Sequence, residues 1–110
     1  MKREVFAKPE TDQFVARCES NTTVFEVTYD EIKLSDVTVS FKRDGESVAS
    51  IYNDYNTSKT MAHIYAPGET DFSSHEVPKK FVEEVLNHAE AHDLVENPER
   101  VYGYRVRILE

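Results

Sequence analysis

No stretch of this 110-residue sequence approaches the roughly 18 consecutive apolar residues that a bilayer span requires, so a transmembrane helix is not expected. The first nine residues carry Lys2 and Arg3 but no apolar core region, so a secretory signal is not expected there either. Cysteine occurs once, at Cys18. One thiol cannot build a disulfide framework within the chain, and its solitary state fits a reducing compartment; the expected location is cytoplasmic. The N-glycosylation triplets Asn21-Thr22-Thr23 and Asn56-Thr57-Ser58 then mark only loop-like stretches.

Positive charge is also short: 13 Lys and Arg face 21 Asp and Glu, for a formal net charge of -8. Residues 1–55 and 56–110 each carry -4, so the acidity is spread rather than gathered in a tail. A spread negative charge repels nucleic-acid phosphates and argues against a DNA or RNA partner. It also weakens the opposite reading, an acidic inhibitor that occupies a nucleic-acid-binding surface, because such a decoy should concentrate its carboxylates. No phosphate-cradling glycine loop, dinucleotide fingerprint or paired-cysteine zinc pattern is present. Internal repeats, low-complexity tracts and Gly/Ser/Pro-rich linkers are lacking too, so residues 1–110 are expected to form a single domain.

What remains is globular composition, 39% hydrophobic and 31% charged. A chain of this length buries roughly two thirds of its unfolded surface without help from disulfides or metal. Val5–Ala7 and Phe14–Cys18 read as short strands across a polar turn. Val24–Tyr29 alternates Phe25, Val27 and Tyr29 with Glu26 and Thr28, the period of a half-buried strand. Residues 29–35 form a connection anchored by Ile32 and Leu34.

The clearest local signal is Val37–Tyr52, two β-rich runs around Asp44-Gly45, a pair suited to a two-residue hairpin turn. Pairing Arg43 with Glu46 sets Phe41 against Val48, Val39 against Ser50 and Val37 against Tyr52. That register sends Val37, Val39, Phe41, Val48 and Tyr52 inward. It leaves Thr38, Ser40, Lys42, Ala49 and Ile51 on the other face, joined by Arg105 and Arg107 if the last strand enters the sheet. Residues 53–58 read as a turn, Thr60–Ala66 as a strand and Pro67-Gly68 as a type II turn.

One helix is expected, from about His75 to Leu94, with Pro78 in its first turn. Ser73 and Glu76 have capping-box spacing. At about 100° per residue, Pro78, Phe81, Val82, Val85 and Ala89 share a face opposite Lys79, Glu83, Asn87 and Glu90. Asn97-Pro98 leads into a last strand, Val101–Leu109. The order of elements predicts an α+β fold: a mostly antiparallel sheet of about five to six strands, one amphipathic helix across one face, and a final strand after it.

Several residue sets are weighed for chemistry. His88 and His92 stand at i and i+4, with Glu84 a turn earlier, a spacing that can present two imidazoles to a metal. The zinc-protease pattern would need a glutamate directly after the first histidine, where Ala89 stands, and a third ligand requires His63 or His75 to converge on the pair. No metal and no cofactor are therefore expected. Cys18 follows Arg17, but neighbours on a strand point to opposite faces, so an inert buried thiol is expected rather than a nucleophile. Asp54, Ser58 and His63 supply triad residue types without a nucleophile elbow. Tyr102-Gly103-Tyr104-Arg105-Val106-Arg107 has the mixture of an RNA-binding strand, yet its aromatics share a face with Val106 and Ile108 and read as core. No catalytic residue is assigned. The expected function is a non-enzymatic protein-binding or regulatory module, its partner another protein or a second copy in a homodimer, using Thr38, Ser40, Lys42, Ala49, Ile51, Arg105 and Arg107. The alternative is a small enzyme or ligand-binding domain with histidine and carboxylate groups beside the helix.

Overall fold

The computed structural model describes residues 2–34, 38–54, 56–65 and 72–96. Its strands are β1 (Lys2–Ala7), β2 (Phe14–Glu19), β3 (Val24–Tyr29), β4 (Glu31–Leu34), β5 (Thr38–Arg43), β6 (Glu46–Asp54), β7 (Lys59–Tyr65), β8 (Phe72–Glu76) and, after helix α1 (Lys79–Ala91), β9 (Val95–Glu96). The fold is α+β and mostly sheet, but there are two sheets where one was expected. β1-β2-β3 form an antiparallel three-stranded sheet, and a second sheet has the order β8-β7-β6-β5-β4-β9. Among the described residues no helix is long and apolar enough to cross a membrane.

The division falls at Asp30, the single residue between β3 and β4. Its N–H donates to the Lys42 carbonyl at 2.8 Å, and its Oδ2 accepts the Asp44 N–H at 2.9 Å. Arg43 Nη1 adds a bond to the Thr28 carbonyl at 3.3 Å. The stretch that reads as one strand and a connection is therefore a corner, held from outside by the tip of the β5–β6 hairpin. Beyond the corner, Ile32 and Leu34 pair with Phe41 and Val39.

The hairpin turn is as the sequence predicts. Arg43 pairs with Glu46, and Asp44 (φ 54°) and Gly45 (φ 82°) both take positive φ. The register beyond it is corrected. A β-bulge between Phe41 and Lys42 leaves Val48 as the extra residue, so Phe41 pairs with Ala49, Val39 with Ile51 and Thr38 with Tyr52. One extra residue exchanges the two faces of the rest of the strand, because side chains alternate with period 2. Ala49 and Ile51, expected outside, are 0% exposed. Ser50 and Tyr52 take the opposite face, and Val48 still packs against the edge of the core.

The helix is shorter than the periodicity suggests. The backbone before a proline is biased to extended conformations, so β8 runs on through His75 and Glu76, and α1 starts only after Pro78 as N-cap. The Ser73/Glu76 spacing therefore falls within β8 rather than at the helix start, whose N-cap is Pro78. At the other end the Leu94 N–H reaches the Ala89 carbonyl (2.9 Å) and the Asp93 N–H the Glu90 carbonyl (3.1 Å), with Asp93 at φ 56°. This paired reversal stops the helix and sends the chain outward. Leu94 then accepts a bond from the Ile32 N–H at 3.0 Å, and β9 runs parallel to β4. A strand does follow the helix, but it is this two-residue one; Val101–Leu109, with Arg105 and Arg107, lies outside the described residues, as do Val37 and the Pro67-Gly68 turn.

The buried side chains form one cluster drawn from three bodies: Ala16, Cys18, Phe25, Val27 and Tyr29; Ile32, Leu34, Val39, Phe41, Ala49, Ile51 and Ala62; and Phe81, Val82, Val85, Leu86 and Ala89. Phe25 of β3 joins them, with ring centroids 6.0 Å from Phe41 and 5.8 Å from Phe81. The apolar face of α1 is the expected one, extended by Leu86, but it lies against the three-stranded sheet as well, where Arg3 Nε meets Glu84 Oε1 at 3.1 Å.

Two substitutions test this arrangement. Phe81→Ala should cost about 3–5 kcal/mol in chemical denaturation, the range for a fully buried phenylalanine; a loss below about 1 kcal/mol would place Phe81 elsewhere. Asp30→Ala removes the carboxylate that holds the hairpin tip and should cost about 1–2 kcal/mol, whereas a merely solvated aspartate there would cost almost nothing.

Candidate functional site

Of the seven residues expected to form an interaction surface, Thr38, Ser40 and Lys42 lie on the face of the larger sheet turned away from the core, and all three are half-buried. Ala49 and Ile51 leave that set because they are core. The bulge replaces them with Ser50 and Tyr52. The β6–β7 register then adds Met61, opposite Tyr52, and His63, opposite Ser50. These side chains hold one another. The Ser50 hydroxyl and the Tyr65 hydroxyl share a hydrogen bond of 2.8 Å, and the Tyr52 and His63 rings meet edge-on at 5.0 Å. Burial, and after it the nearby His75, lowers the His63 pKa, so this ring is biased toward the neutral form. Thr38, Ser40, Ser50, Tyr52, Met61, His63 and Tyr65 make an area without a carboxylate or amine. Charge sits around it, on Glu31, Lys33 and Lys42 at one side and on Glu76, paired with Lys59 at 3.7 Å, at the other. Alternation in Met61-Ala62-His63-Ile64-Tyr65 was a readable signal for the β7 contribution; that of β6 was hidden by the bulge.

A cleft of about 560 Å³ lies between the β2–β3 turn and the β8–α1 junction, lined by Ser20, Thr22, Thr23, Ser74, His75 and Glu76. The Ser20 hydroxyl accepts the Thr22 and Thr23 N–H groups (3.4 and 3.3 Å) and fixes the turn. Thr23 Oγ1 is hydrogen-bonded to His75 Nδ1, and the His75 ring stands edge-on to Phe25 at 6.1 Å. Local sequence gives no hint of this pair, since 52 residues separate its members.

The remaining sets have structural partners. His88 and His92 stack on each other at 4.4 Å and abut Phe14 of β2 at 5.5 and 5.2 Å, while Glu84 is engaged by Arg3. His88 and His92 thus pair with each other, whereas His63 lies on the outer sheet face with Tyr52 and His75 at the cleft with Thr23. Among the described residues no group of three His, Cys, Asp or Glu could hold a metal. Cys18 is buried, and desolvation pushes its thiol pKa up despite the opposing charge of Arg3. Arg17 points to the other face, where it meets Glu19 at 2.7 Å and Glu26 at 3.2 Å. Asp54 Oδ1 accepts the Asn56 N–H within the β6–β7 turn, so it is occupied with turn formation while His63 contacts Tyr52. The Tyr102–Arg107 run lies outside the described residues.

Comparison of the chain with protein-family models, curated proteins and solved structures found no match.

Two buried polar atoms have no hydrogen-bond partner among the described residues, the Tyr29 hydroxyl and His88 Nδ1. Burial holds the Tyr29 phenol un-ionised, its pKa far above the ordinary tyrosine value. An unpaired buried hydroxyl costs its desolvation, so Tyr29→Phe should be neutral or stabilising by up to about 1 kcal/mol in denaturant titrations. A loss beyond about 1 kcal/mol would reveal a partner for that hydroxyl.

Proposed function

We propose that this chain is a single-domain, non-enzymatic binding module that docks a protein partner on the outer face of its larger sheet. One observation carries the reading: in a chain with 31% charged residues, seven neighbouring positions on that face carry no Asp, Glu, Lys or Arg. Charge depleted at the centre, tyrosine and methionine present there, and charges kept to the rim is the anatomy of a non-obligate protein interface. The Tyr52–His63 and Ser50–Tyr65 contacts hold the central rings in place, so little side-chain freedom is lost on docking. The surface is thus Thr38, Ser40 and Lys42 with Ser50, Tyr52, Met61, His63 and Tyr65, extended by Arg105 and Arg107 if the last strand joins it. A nucleic-acid partner is disfavoured by the net charge of -8. The decoy reading has little support, because the three carboxylates Glu4, Glu19 and Glu26 on the outer face of the three-stranded sheet are interleaved with Lys2 and Arg17 rather than gathered into an acidic patch. The buried, solitary Cys18 supports a reducing, cytoplasmic setting.

The hydroxyl-lined cleft supports a second reading, a ligand-binding domain in which Thr23 and His75 orient a small polar molecule. It is tested by thermal-shift screening against polar metabolites, with Thr23→Val as the variant that abolishes any hit.

The docking reading is tested with photo-crosslinkers placed at Ser40 and Tyr52, and at Glu26 on the other sheet as control, in the cells that make the protein. The expected result is a discrete partner crosslinked from the first two positions only. It should be lost in Met61→Glu with Lys42→Glu, while the circular dichroism spectrum and unfolding midpoint hold. A product the mass of two chains would identify the partner as a second copy. Equal products from Glu26, or a partner retained by the double variant, would remove this face as the docking site.

A further inference from the structure

The contact between the last turns of α1 and strand β2 contains a half-buried titratable ring, His88, one of whose nitrogens is buried without a partner among the described residues. His88 lies against the edge of Phe14 (5.5 Å, 73°) and is stacked on His92 (4.4 Å, 33°). Its Nδ1 is buried without a hydrogen-bond partner among the described residues. A neutral imidazole tolerates this by keeping its proton on Nε2, which leaves only a bare lone pair at Nδ1. An imidazolium carries N–H on both nitrogens, so it would bury a charged donor with no acceptor.

No described residue bonds Nδ1, and the titratable groups of the elements packed around α1 are engaged elsewhere, uncharged or cationic. From β1 comes Arg3, itself cationic and engaged with Glu84. From β2 come Phe14 and the protonated thiol of Cys18. From β3 comes the Tyr29 hydroxyl, which burial keeps un-ionised, so it brings no negative charge to offset an imidazolium. From α1 come Glu84, whose charge is offset by Arg3, and His92, whose charge opposes one on the His88 ring. Phe14 is the keystone, since it also touches His92 at 5.2 Å and Tyr29 at 6.1 Å.

We propose that His88 is a proton-operated latch: neutral, it holds the C-terminal half of α1 on the three-stranded sheet at Phe14; protonated, it releases that contact. The sign follows from linkage. Burial, and after it His92, lowers the pKa of the packed ring below the ordinary histidine value. The released ring therefore takes up its proton at higher pH than the packed one. The latch is closed in full above about pH 6.5 and weakens as pH falls from there through the lowered pKa, by up to about tenfold in the closing equilibrium for each pH unit. Because Leu94 accepts a bond from Ile32 just past the helix, release would also be felt where β9 meets β4.

The test uses the full chain between pH 8 and 4.5. Ring C–H resonances are followed by NMR, and hydrogen exchange is followed by mass spectrometry on segments 14–19 and 79–91, corrected for the pH dependence of intrinsic exchange. The expected result is that His88 titrates below the ordinary histidine value and that protection of both segments falls in the same window. In His88→Phe, which keeps a ring against Phe14, and in His88→Gln, that fall should be absent. His63→Asn removes the other histidine with a lowered pKa and should leave the fall in place. Titration of His88 at or above the ordinary value would overturn the proposal. So would an equal loss of protection in β6 and β7, or an undiminished fall in whichever His88 variant folds; the wild-type titration decides if neither does.

Discussion

The corner at Asp30 is the constraint on which the remaining structure depends. A chain that alternates from Val24 onward would naturally extend a single strand into Ile32 and Leu34. Instead the tip of the β5–β6 hairpin takes hold of residues 28–30 through a backbone carbonyl, a guanidinium and a backbone N–H. The chain breaks there into two strands that belong to different sheets. The inner side of β3 is thereby turned onto the inner side of β5, bringing Tyr29 to 5.0 Å from Phe41 and Phe25 to 6.0 Å from the same ring. Each bond at the corner is modest alone; the apolar surface that the corner allows the two sheets to bury stabilises the fold more than the bonds themselves do.

The consequence for the larger sheet is asymmetric burial. Its inner side is closed by the three-stranded sheet and α1, whose side chains enter the same core cluster. Its outer side keeps a patch of hydroxyls and rings whose members are fixed by one another rather than by a core. The bulge at Val48 decides which residues those are. Were Val48 paired directly with Phe41 instead of being bulged, Ala49 and Ile51 would face outward and Ser50 and Tyr52 inward. The patch and the core are thus set by a single backbone irregularity.

The opposite end of the core is less well satisfied. Phe14 closes it, with Tyr29 on one side and the two helix histidines on the other, and the two orphaned polar atoms both belong to rings that touch Phe14. Apolar shape and polar need disagree here. Histidine fills the space of a core aromatic only while it remains neutral, so packing at this end of the helix is conditional on protonation in a way that packing at Phe25 and Phe81 is not.

Short-range physics was legible in the sequence. Asp44-Gly45 specifies its turn because both residues tolerate positive φ, and Arg43 duly meets Glu46. The apolar stripe Phe81, Val82, Val85 and Ala89 specifies the buried side of α1, and the alternation around Cys18 foretells that it is buried while Arg17 faces the other way. The late start of the helix was within reach of local reasoning too, since Pro78 biases the residue before it toward an extended backbone. What the sequence could not disclose involves partners far along the chain or a change of backbone parity. The break at Asp30 is made by residues 42–44, the cleft pair joins Thr23 to His75, and the His88 ring is packed by Phe14. The bulge at Val48 leaves no mark in composition, yet it exchanges the two faces of a strand. Alternation reports that a strand has two sides; only packing decides which side is in, because the energy that chooses between them comes from the surfaces that cover it.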